Sequence, residues 1–167
     1  FGAIQPAQAN IVADNNAAAG LRPDVTETQG GIPQVNIQAP SAGGVSRNVY
    51  SEFNIDGRGV ILNNSHSDTY TSIGGNVTGN AALANGGASI ILNEVNSRDP
   101  SQLNGMIEVA GQRAEVVIAN PSGITCDGCG FINTNHASLT TGTATFDDNN
   151  KLTGLDVKKG QIVITGK

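Results

Sequence analysis

Tryptophan is absent from this sequence, and aromatic residues make up only 4% of its 167 residues. A core without large aromatic side chains has to be filled by Ile, Val, Leu and Ala, which suits a narrow, close-packed interior. The two cysteines are too few for a small scaffold stapled by several disulfides. The length of 167 residues nevertheless suits one domain with a real core.

Positive charge is also scarce, with nine Lys and Arg against 14 Asp and Glu, a net charge of −5 and a pI of about 4.8. Nucleic-acid phosphates and anionic membrane surfaces both require a basic face, and these residues are scattered. No apolar run reaches the roughly 18 residues of a membrane-spanning helix. The composition therefore predicts no binding to nucleic acid and no membrane insertion.

Glycine is abundant, with 22 residues, and asparagine is frequent too. Both residues accept left-handed backbone conformations and mark turns, while the segments between them are rich in Val and Ile. From Met106 onward, strand-like segments recur every 7 to 10 residues or so, and three strands per coil of about 20 residues is the rhythm of a parallel β-helix. We predict an all-β, right-handed parallel β-helix; an antiparallel sandwich or barrel is the alternative.

The alternation of apolar and polar residues predicts strands at residues 32–37, 60–65, 89–95, 106–110 and 114–118. Residues 1–31 supply a leading strand or an N-terminal cap around Ile11 and Val12. Residues 66–87 are polar and rich in Gly and Asn, which predicts an excursion from the coil. Because the chain begins at Phe1 rather than Met, we expect a single domain over residues 1–167 that is the N-terminal part of a longer protein.

The Asn120-Pro121-Ser122-Gly123 segment is a strong turn signal. Proline fixes φ at the second position of a turn, asparagine bonds to its own backbone, and glycine permits positive φ. We interpret the segment as a tight corner of the coil, and a direct contact with a partner is a second role compatible with it.

The Cys126-Asp127-Gly128-Cys129 segment is open to three interpretations. Zinc requires four ligands, and beyond the two cysteines only the distant His66 and His136 remain, so no metal or other cofactor is expected. A thioredoxin-like site requires the motif to open a helix, whereas a strand pattern follows here. A local disulfide across the turn is favoured, provided that the protein meets an oxidising compartment.

Residues for catalysis do not cluster. His66 and His136 lie in polar, turn-rich segments, and Glu94, Glu108 and Glu115 are expected to face solvent from strands. No nucleophile elbow, phosphate loop or dinucleotide fingerprint occurs. We therefore predict no catalytic residues and no enzymatic activity.

Four blocks of this sequence resemble the two-partner secretion (TPS) domain of filamentous-haemagglutinin-like and haemolysin-like exoproteins. They are residues 48–65, 88–95, 103–111 and 118–142, in the order that the family has them. The Cys-x-x-Cys pair is similar to the subgroup that contains haemolysins and contact-dependent growth inhibition exoproteins. The resemblance covers most of residues 32–142.

The resemblance implies a right-handed β-helix with an N-terminal cap and small extra-helical β elements. It identifies Asn120, Pro121, Ser122, Gly123 and Ile124 as a secretion motif, and it implies a disulfide between the two cysteines. A second block comprises Asn63, Asn64, Ser65 and Asn80. Here the family often has Asn-Pro-x-Leu, whereas this sequence has Ala81 after Asn80, which weakens the assignment of a role to Asn80.

The function implied is export: the domain is recognised in the periplasm by a dedicated outer-membrane TpsB transporter with POTRA domains, and it nucleates folding at the cell surface. The expected product is a secreted or surface-exposed protein whose isolated domain is a monomer. A surface adhesin that binds glycan or host protein is the alternative, and a polysaccharide lyase is a third hypothesis, which the scattered basic residues disfavour.

Overall fold

The computed structural model describes residues 10–147, 152–156 and 161–165. Short strands joined by turns dominate these residues, and short 3-10 helices occur at Ala19–Leu21 and Ala81–Leu83. The strands in chain order are β1 (Asn10–Ala13), β2 (Asp24–Glu27), β3 (Pro33–Asn36), β4 (Val45–Asn54), β5 (Val60–Asn64), β6 (Thr69–Thr71), β7 (Gly75–Val77), β8 (Ile90–Val95), β9 (Ser101–Leu103), β10 (Met106–Gly111), β11 (Ala114–Ala119), β12 (Ile124–Asp127), β13 (Gly130–Ile132), β14 (Thr134–Thr140), β15 (Thr143–Phe146), β16 (Leu152–Asp156) and β17 (Ile162–Thr165). The predicted all-β class is confirmed.

Three stacks of parallel strands form the sides of a coil. Sheet A contains β4, β8, β11 and β14, sheet B contains β3, β5, β10 and β13, and sheet C contains β9, β12 and β17. The chain passes from sheet B to sheet A to sheet C and then returns to sheet B, so each coil adds one strand to each side. This is the predicted parallel β-helix, with the right-handed sense that parallel crossovers adopt, and it rules out the antiparallel alternative.

The interior of the coil is filled by the inward-facing side chains of all three sheets, because side chains alternate along each strand. Tyr50 and Phe53 pack edge to face at 4.9 Å between ring centroids. Each buried aliphatic side chain contributes about 1.5–3 kcal/mol relative to its exposed state. The members of this core include Val35, Ile37, Ile55, Val60, Leu62, Ile91, Val95, Leu103, Ile107, Val109, Val116, Ile118 and Ile124.

Two antiparallel strands close the N-terminal end of the coil. β1 pairs with the second half of β4, and β2 pairs with β3. Ile11 on β1 packs against the core, so the strand covers apolar surface as well as backbone groups. Covering a sheet edge in this way removes a template for unwanted pairing, and the predicted N-terminal cap takes this form.

Two hairpins lie outside the coil. The β6–β7 hairpin packs on the outer face of sheet B, where Ile61, Val77 and Ala110 are buried with Ile32 and Ile73 against them. The β15–β16 hairpin packs on the outer face of sheet A through an apolar cluster formed by Val45, Leu92, Val117, Ala144, Phe146 and Leu152. The first hairpin lies inside the predicted excursion at residues 66–87.

The structure corrects the expectations for three residues: Glu108, Glu94 and His136. Glu108 was expected in solvent, but it is only 5% exposed, because the β6–β7 hairpin covers the outward face of its strand. Glu94 is also withdrawn from solvent and pairs with Arg47 at 2.6 Å. His136 lies within β14 rather than in a loop, although it is exposed as expected, and His66 is exposed in a loop.

Candidate functional site: the asparagine corners

The Asn120–Gly123 turn forms the corner of the third coil between sheet A and sheet C, which we call the A–C corner. The Ser122 backbone N–H donates to Asn120 Oδ1 at 2.9 Å, and the Gly123 N–H donates to the Asn120 carbonyl at 3.0 Å. Gly123 has φ 118°, a conformation that L side chains rarely adopt. The predicted tight corner is therefore present, and its geometry is that of an Asx turn.

The amide of Asn120 also joins this corner to the coil below. Its Nδ2 donates to the Asp99 carbonyl at 2.9 Å and to Ser101 Oγ at 3.0 Å. Asn120 is 0% exposed, so all of its side-chain bonds are made away from solvent. In the folded domain this side chain acts on neighbouring backbone and is not available to a partner.

The remaining residues of the predicted motif surround this buried amide. The Ser122 hydroxyl donates to the Ser97 carbonyl at 3.2 Å, and the Ile124 side chain belongs to the core at 1% exposure. Pro121 is partly exposed and lines a surface groove of about 330 Å³ together with Arg47, Glu94 and other residues. Only Pro121 and Ser122 thus retain solvent access within the motif.

Asn63 and Asn64 end β5, and Ser65 follows them at the corner between sheet B and sheet A (the B–A corner). Asn63 Nδ2 donates to Asn36 Oδ1 at 2.9 Å and to the Thr78 carbonyl at 2.8 Å. Asn64 Nδ2 donates to the Ala88 and Gln112 carbonyls at 3.0 and 2.8 Å, and its Oδ1 accepts from the Ala88 N–H. These amides therefore hold both ends of the excursion to the coil.

Asn80 repeats the arrangement of Asn120 at the B–A corner. Its Nδ2 donates to the Ile37 and Asn63 carbonyls at 2.9 and 3.1 Å, and its Oδ1 accepts from the Ala82 N–H at 3.1 Å. The Leu83 N–H donates to the Asn80 carbonyl, and Asn80 is 3% exposed. Alanine in place of proline at position 81 leaves this hydrogen-bond pattern intact, because the asparagine side chain makes the bonds.

Cys126 and Cys129 are joined by a disulfide with a Cα–Cα distance of 5.4 Å. The bridge closes the corner between sheet C and sheet B (the C–B corner) in the third coil, after β12, where Gly128 has φ 75°. Cys126 is buried and Cys129 packs against the core. The disulfide interpretation of this pair agrees with the structure. The bridge leaves no thiolate to bind zinc, and strand β13 follows the motif where a thioredoxin-like site would open a helix.

Reduction of the disulfide is expected to lower the free energy of unfolding by about 2 kcal/mol, because the loop that it closes is only a few residues long. The melting temperature should fall by about 4–8 °C for a domain of this size. Thermal melts followed by circular dichroism, with and without a phosphine reductant, measure the change. A mass-spectrometric thiol count supplies the control, and a fully reduced domain with an unchanged melting temperature would contradict the expectation.

The predicted site residues do not form one constellation. The Asn63–Ser65 block and Asn80 meet at the B–A corner, whereas the Asn120 turn lies at the A–C corner and the disulfide at the C–B corner. The asparagine groups connect backbone between adjacent strands or coils, whereas the disulfide closes its own turn. All three groups lie at corners of the coil, where the regular hydrogen bonds between strands stop, and they hold the chain in place there.

The coil interior also contains a ladder of hydrogen-bonded polar side chains, which was not predicted from the sequence. Tyr50 Oη donates to Asn93 Oδ1 at 2.8 Å, and Asn93 Nδ2 donates to the Val117 carbonyl at 3.2 Å. Asn48, paired in register with Asn93, accepts from the Gln38 N–H. Burial raises the pKa of the Tyr50 phenol. An asparagine at an inward-facing strand position, between Ile91 and Val95, was the available signal.

Chemically, these side chains satisfy backbone groups and each other. Among the described residues, no buried side-chain nitrogen or oxygen lacks a hydrogen-bond partner. The helices of the described residues lack the length and the apolar composition that a membrane-spanning segment requires. The described residues thus form a capped β-helix with packed hairpins on its outer faces, and asparagine side-chain amides hold its corners. This is a folded scaffold in which the polar side chains hold the backbone in place.

Comparison with known proteins gives this scaffold its family. The family model of the TPS secretion domain matches residues 9–167. The chain belongs to the TPS secretion domain family, and the predicted family resemblance is confirmed. This family consists of secretion domains rather than catalytic domains, and exoproteins that carry them are secreted to the cell surface.

Individual relatives agree with this assignment. The chain is 63% identical over 161 residues to "Toxin CdiA" of Yersinia pestis, and this match covers 96% of this chain and 5% of that protein. It is 49% identical over 166 residues to "tRNA nuclease CdiA" of Yersinia mollaretii, and this match covers 99% of this chain and 6% of that protein. The chain thus spans about a twentieth of the length of these relatives.

Among solved structures, the crystal structure of the filamentous hemagglutinin secretion domain superposes with a TM-score of 0.82. The two chains are 37% identical, and the match covers 92% of this chain and 49% of the other. Similarity at this level extends to both the sequence and the β-helical architecture.

Proposed function

We propose that this chain is the N-terminal export signal of a large exoprotein related to contact-dependent growth inhibition toxins. A TpsB transporter of the outer membrane recognises it in the periplasm through its POTRA domains. The domain then folds at the cell surface and nucleates the β-helix of the chain that follows. The observation that carries the proposal is the match to the secretion-domain family over residues 9–167.

The two ends of the coil support the nucleation step. At the N-terminal end, the antiparallel strands β1 and β2 cover the first strands of two sheets. In the last coil, β13, β14 and β17 each lie at the edge of a parallel sheet within the described residues. Parallel strand edges pair readily with further strands, so growth is directed away from the capped end.

Side chains of the last coil support the same direction of growth. Ile162 and Ile164 are in register with Ile124 and Cys126, which face the interior, yet they are 37% and 69% exposed. A further coil stacked on β17 would bury them, and this burial would contribute roughly 25 cal/mol of stabilisation per Å² of apolar surface.

The export proposal also implies that the chain forms one folded domain and that this domain is a monomer on its own. Light scattering of the purified domain would measure its oligomeric state.

The test is export of this domain with its transporter. The domain, preceded by a signal peptide, is co-expressed with the candidate TpsB transporter, with the same transporter lacking its POTRA domains, or with an empty vector. Immunoblots then compare the culture medium with the periplasm. Release that requires both the barrel and the POTRA domains is the expected result. Release that is equal in all three strains, or absent in all three while the periplasm contains the domain, would refute transporter recognition.

A further inference from the structure

Glu108 is an acidic residue buried on the outside of the coil. Its neighbours Ile107 and Val109 face the interior core, so Glu108 faces outward from β10, as strand alternation requires. It is nevertheless only 5% exposed, because the β6–β7 hairpin covers it. A buried carboxylate is costly unless its oxygens are bonded, and here both oxygens are bonded to the hairpin.

The two carboxylate oxygens hold the turn of the hairpin. The Ser72 N–H donates to Oε2 at 2.8 Å, and the Ile73 N–H donates to Oε1 at 2.9 Å. Hydrogen bonds to an ionised acceptor are roughly twice as strong as neutral ones. The carboxylate therefore fixes two consecutive backbone amides at the tip of an excursion.

No cation competes for Glu108 among the described residues, where the ion pairs are Arg47–Glu94 and Arg58–Asp56. Its strand neighbours in register are Ile61 on β5 and Ile132 on β13, both uncharged. The charged groups on the flanking segments have other partners: Arg58 donates to the Gly31 carbonyl as well as to Asp56, and Asp68 accepts from the Gly79 N–H. The hairpin amides are thus the partners that hold the Glu108 carboxylate.

The underside of the hairpin fits closely against sheet B. Val77 is buried against Ile61 and Ala110, with Ile73 beside them. A Cβ on Gly74 would lie 2.4 Å from Ile61 Cδ1, so the turn rests directly on the sheet. The attachment therefore combines a carboxylate clamp at the tip with an apolar contact along the strands.

These attachments come from different coils. The hairpin, residues 69–77, precedes β8 and is part of the second coil, whereas Glu108 and Ala110 lie on β10 in the third coil. We propose that Glu108 is a latch that closes the β6–β7 hairpin over sheet B, and that closure is completed only after β10 has paired with β5. Until then Ser72 and Ile73 lack their acceptor, and Val77 lacks part of its apolar cover.

The Glu108 latch therefore sets an order of folding steps. In a chain that folds from its N-terminus, the hairpin stays open while the first two coils form, and it closes once the third coil is in place. The same order holds when the purified domain refolds in solution, so the inference does not depend on the export proposed above.

Native-state hydrogen exchange of the whole domain, followed by NMR, tests the latch. In Glu108→Ala, the Ser72 and Ile73 amides should exchange on the order of 10- to 100-fold faster than in the wild type, the effect of losing bonds to a charged acceptor. Glu108→Gln keeps one acceptor oxygen and should lie between the two. Glu115→Gln, a change on β11 of sheet A, should leave both amides unchanged.

Two results would overturn the latch. One is unchanged exchange of Ser72 and Ile73 in Glu108→Ala. The other is an equal acceleration of these amides and of the amides of residues 116–118 in β11, since a uniform change reports global stability and not a local clamp.

Refolding of the wild-type domain tests the order of events. With pulsed hydrogen exchange, Ser72 and Ile73 should become protected together with Ile107 and Val109 of β10 or after them. Protection of the hairpin amides before those of β10 would refute the conditional closure.

Discussion

Substitution of Asn120 by alanine is expected to lower the free energy of unfolding by about 3 kcal/mol, because a fully buried amide that makes three hydrogen bonds is lost. The Asp99 carbonyl and the Ser101 hydroxyl lose their donor, and the turn loses the cap on the Ser122 N–H. The melting temperature should fall by about 6–12 °C for a domain of this size. Urea denaturation followed by circular dichroism measures the change.

Two further variants make the Asn120 result specific. Asn80→Ala removes the equivalent amide at the B–A corner and should give a loss of similar size. Asn135→Ala changes an exposed residue on β14 and should stay within about 0.5 kcal/mol of the wild type. An Asn120→Ala domain of wild-type stability that is no longer exported would contradict the structural role, since the transporter would then read the side chain itself.

Substitution of Gly105 by alanine is expected to cost more than about 3 kcal/mol or to prevent folding, since overpacking against rigid backbone allows little relaxation. At the C–B corner, a Cβ on Gly105 would lie 2.2 Å from the Asp56 carbonyl oxygen and 2.9 Å from the Gly59 nitrogen. Both are backbone atoms of the coil below, and strands in adjacent coils are only about 4.8 Å apart. Soluble yield and urea denaturation measure the loss.

Gly57 supplies a matched control at the same corner. A Cβ on Gly57 meets nothing within 4 Å, and its φ is not in the left-handed region. Gly57→Ala should therefore be neutral or slightly stabilising, by up to about 1 kcal/mol, because alanine restricts the unfolded chain. Equal losses in Gly57→Ala and Gly105→Ala would show that contact between coils does not decide the outcome.

The corners of the coil were the most predictable part of this protein. Asparagine, proline and glycine at positions 120, 121 and 123 encode a turn through their own φ preferences and side-chain reach, which are local properties. The cysteine pair is local for the same reason, since its members are three positions apart in the sequence. The strands β5, β8, β10 and β11 follow from alternating side chains, and their lack of large aromatic residues indicated a narrow core.

Contacts between coils were less predictable. Asn120 reaches Asp99 and Ser101 on the preceding coil, and only the stacking register decides which backbone groups lie there. The Asn93–Tyr50 bond joins residues 43 positions apart. Asn80 was doubtful as a site because alanine follows it, yet its amide bonds to Ile37 and Asn63, which are brought near by the excursion and not by the local sequence.

By itself, the sequence determined the class of fold, the positions of the turns and the direction in which each strand side chain points, because these depend on local φ and ψ preferences and on alternation. It also carried the four blocks that identify the family. Tertiary structure alone decided which outward-facing residues are covered. Glu108 obeys strand alternation and is still buried, because a hairpin from the previous coil folds over it. Burial of that kind depends on contacts between distant segments, which no local pattern encodes.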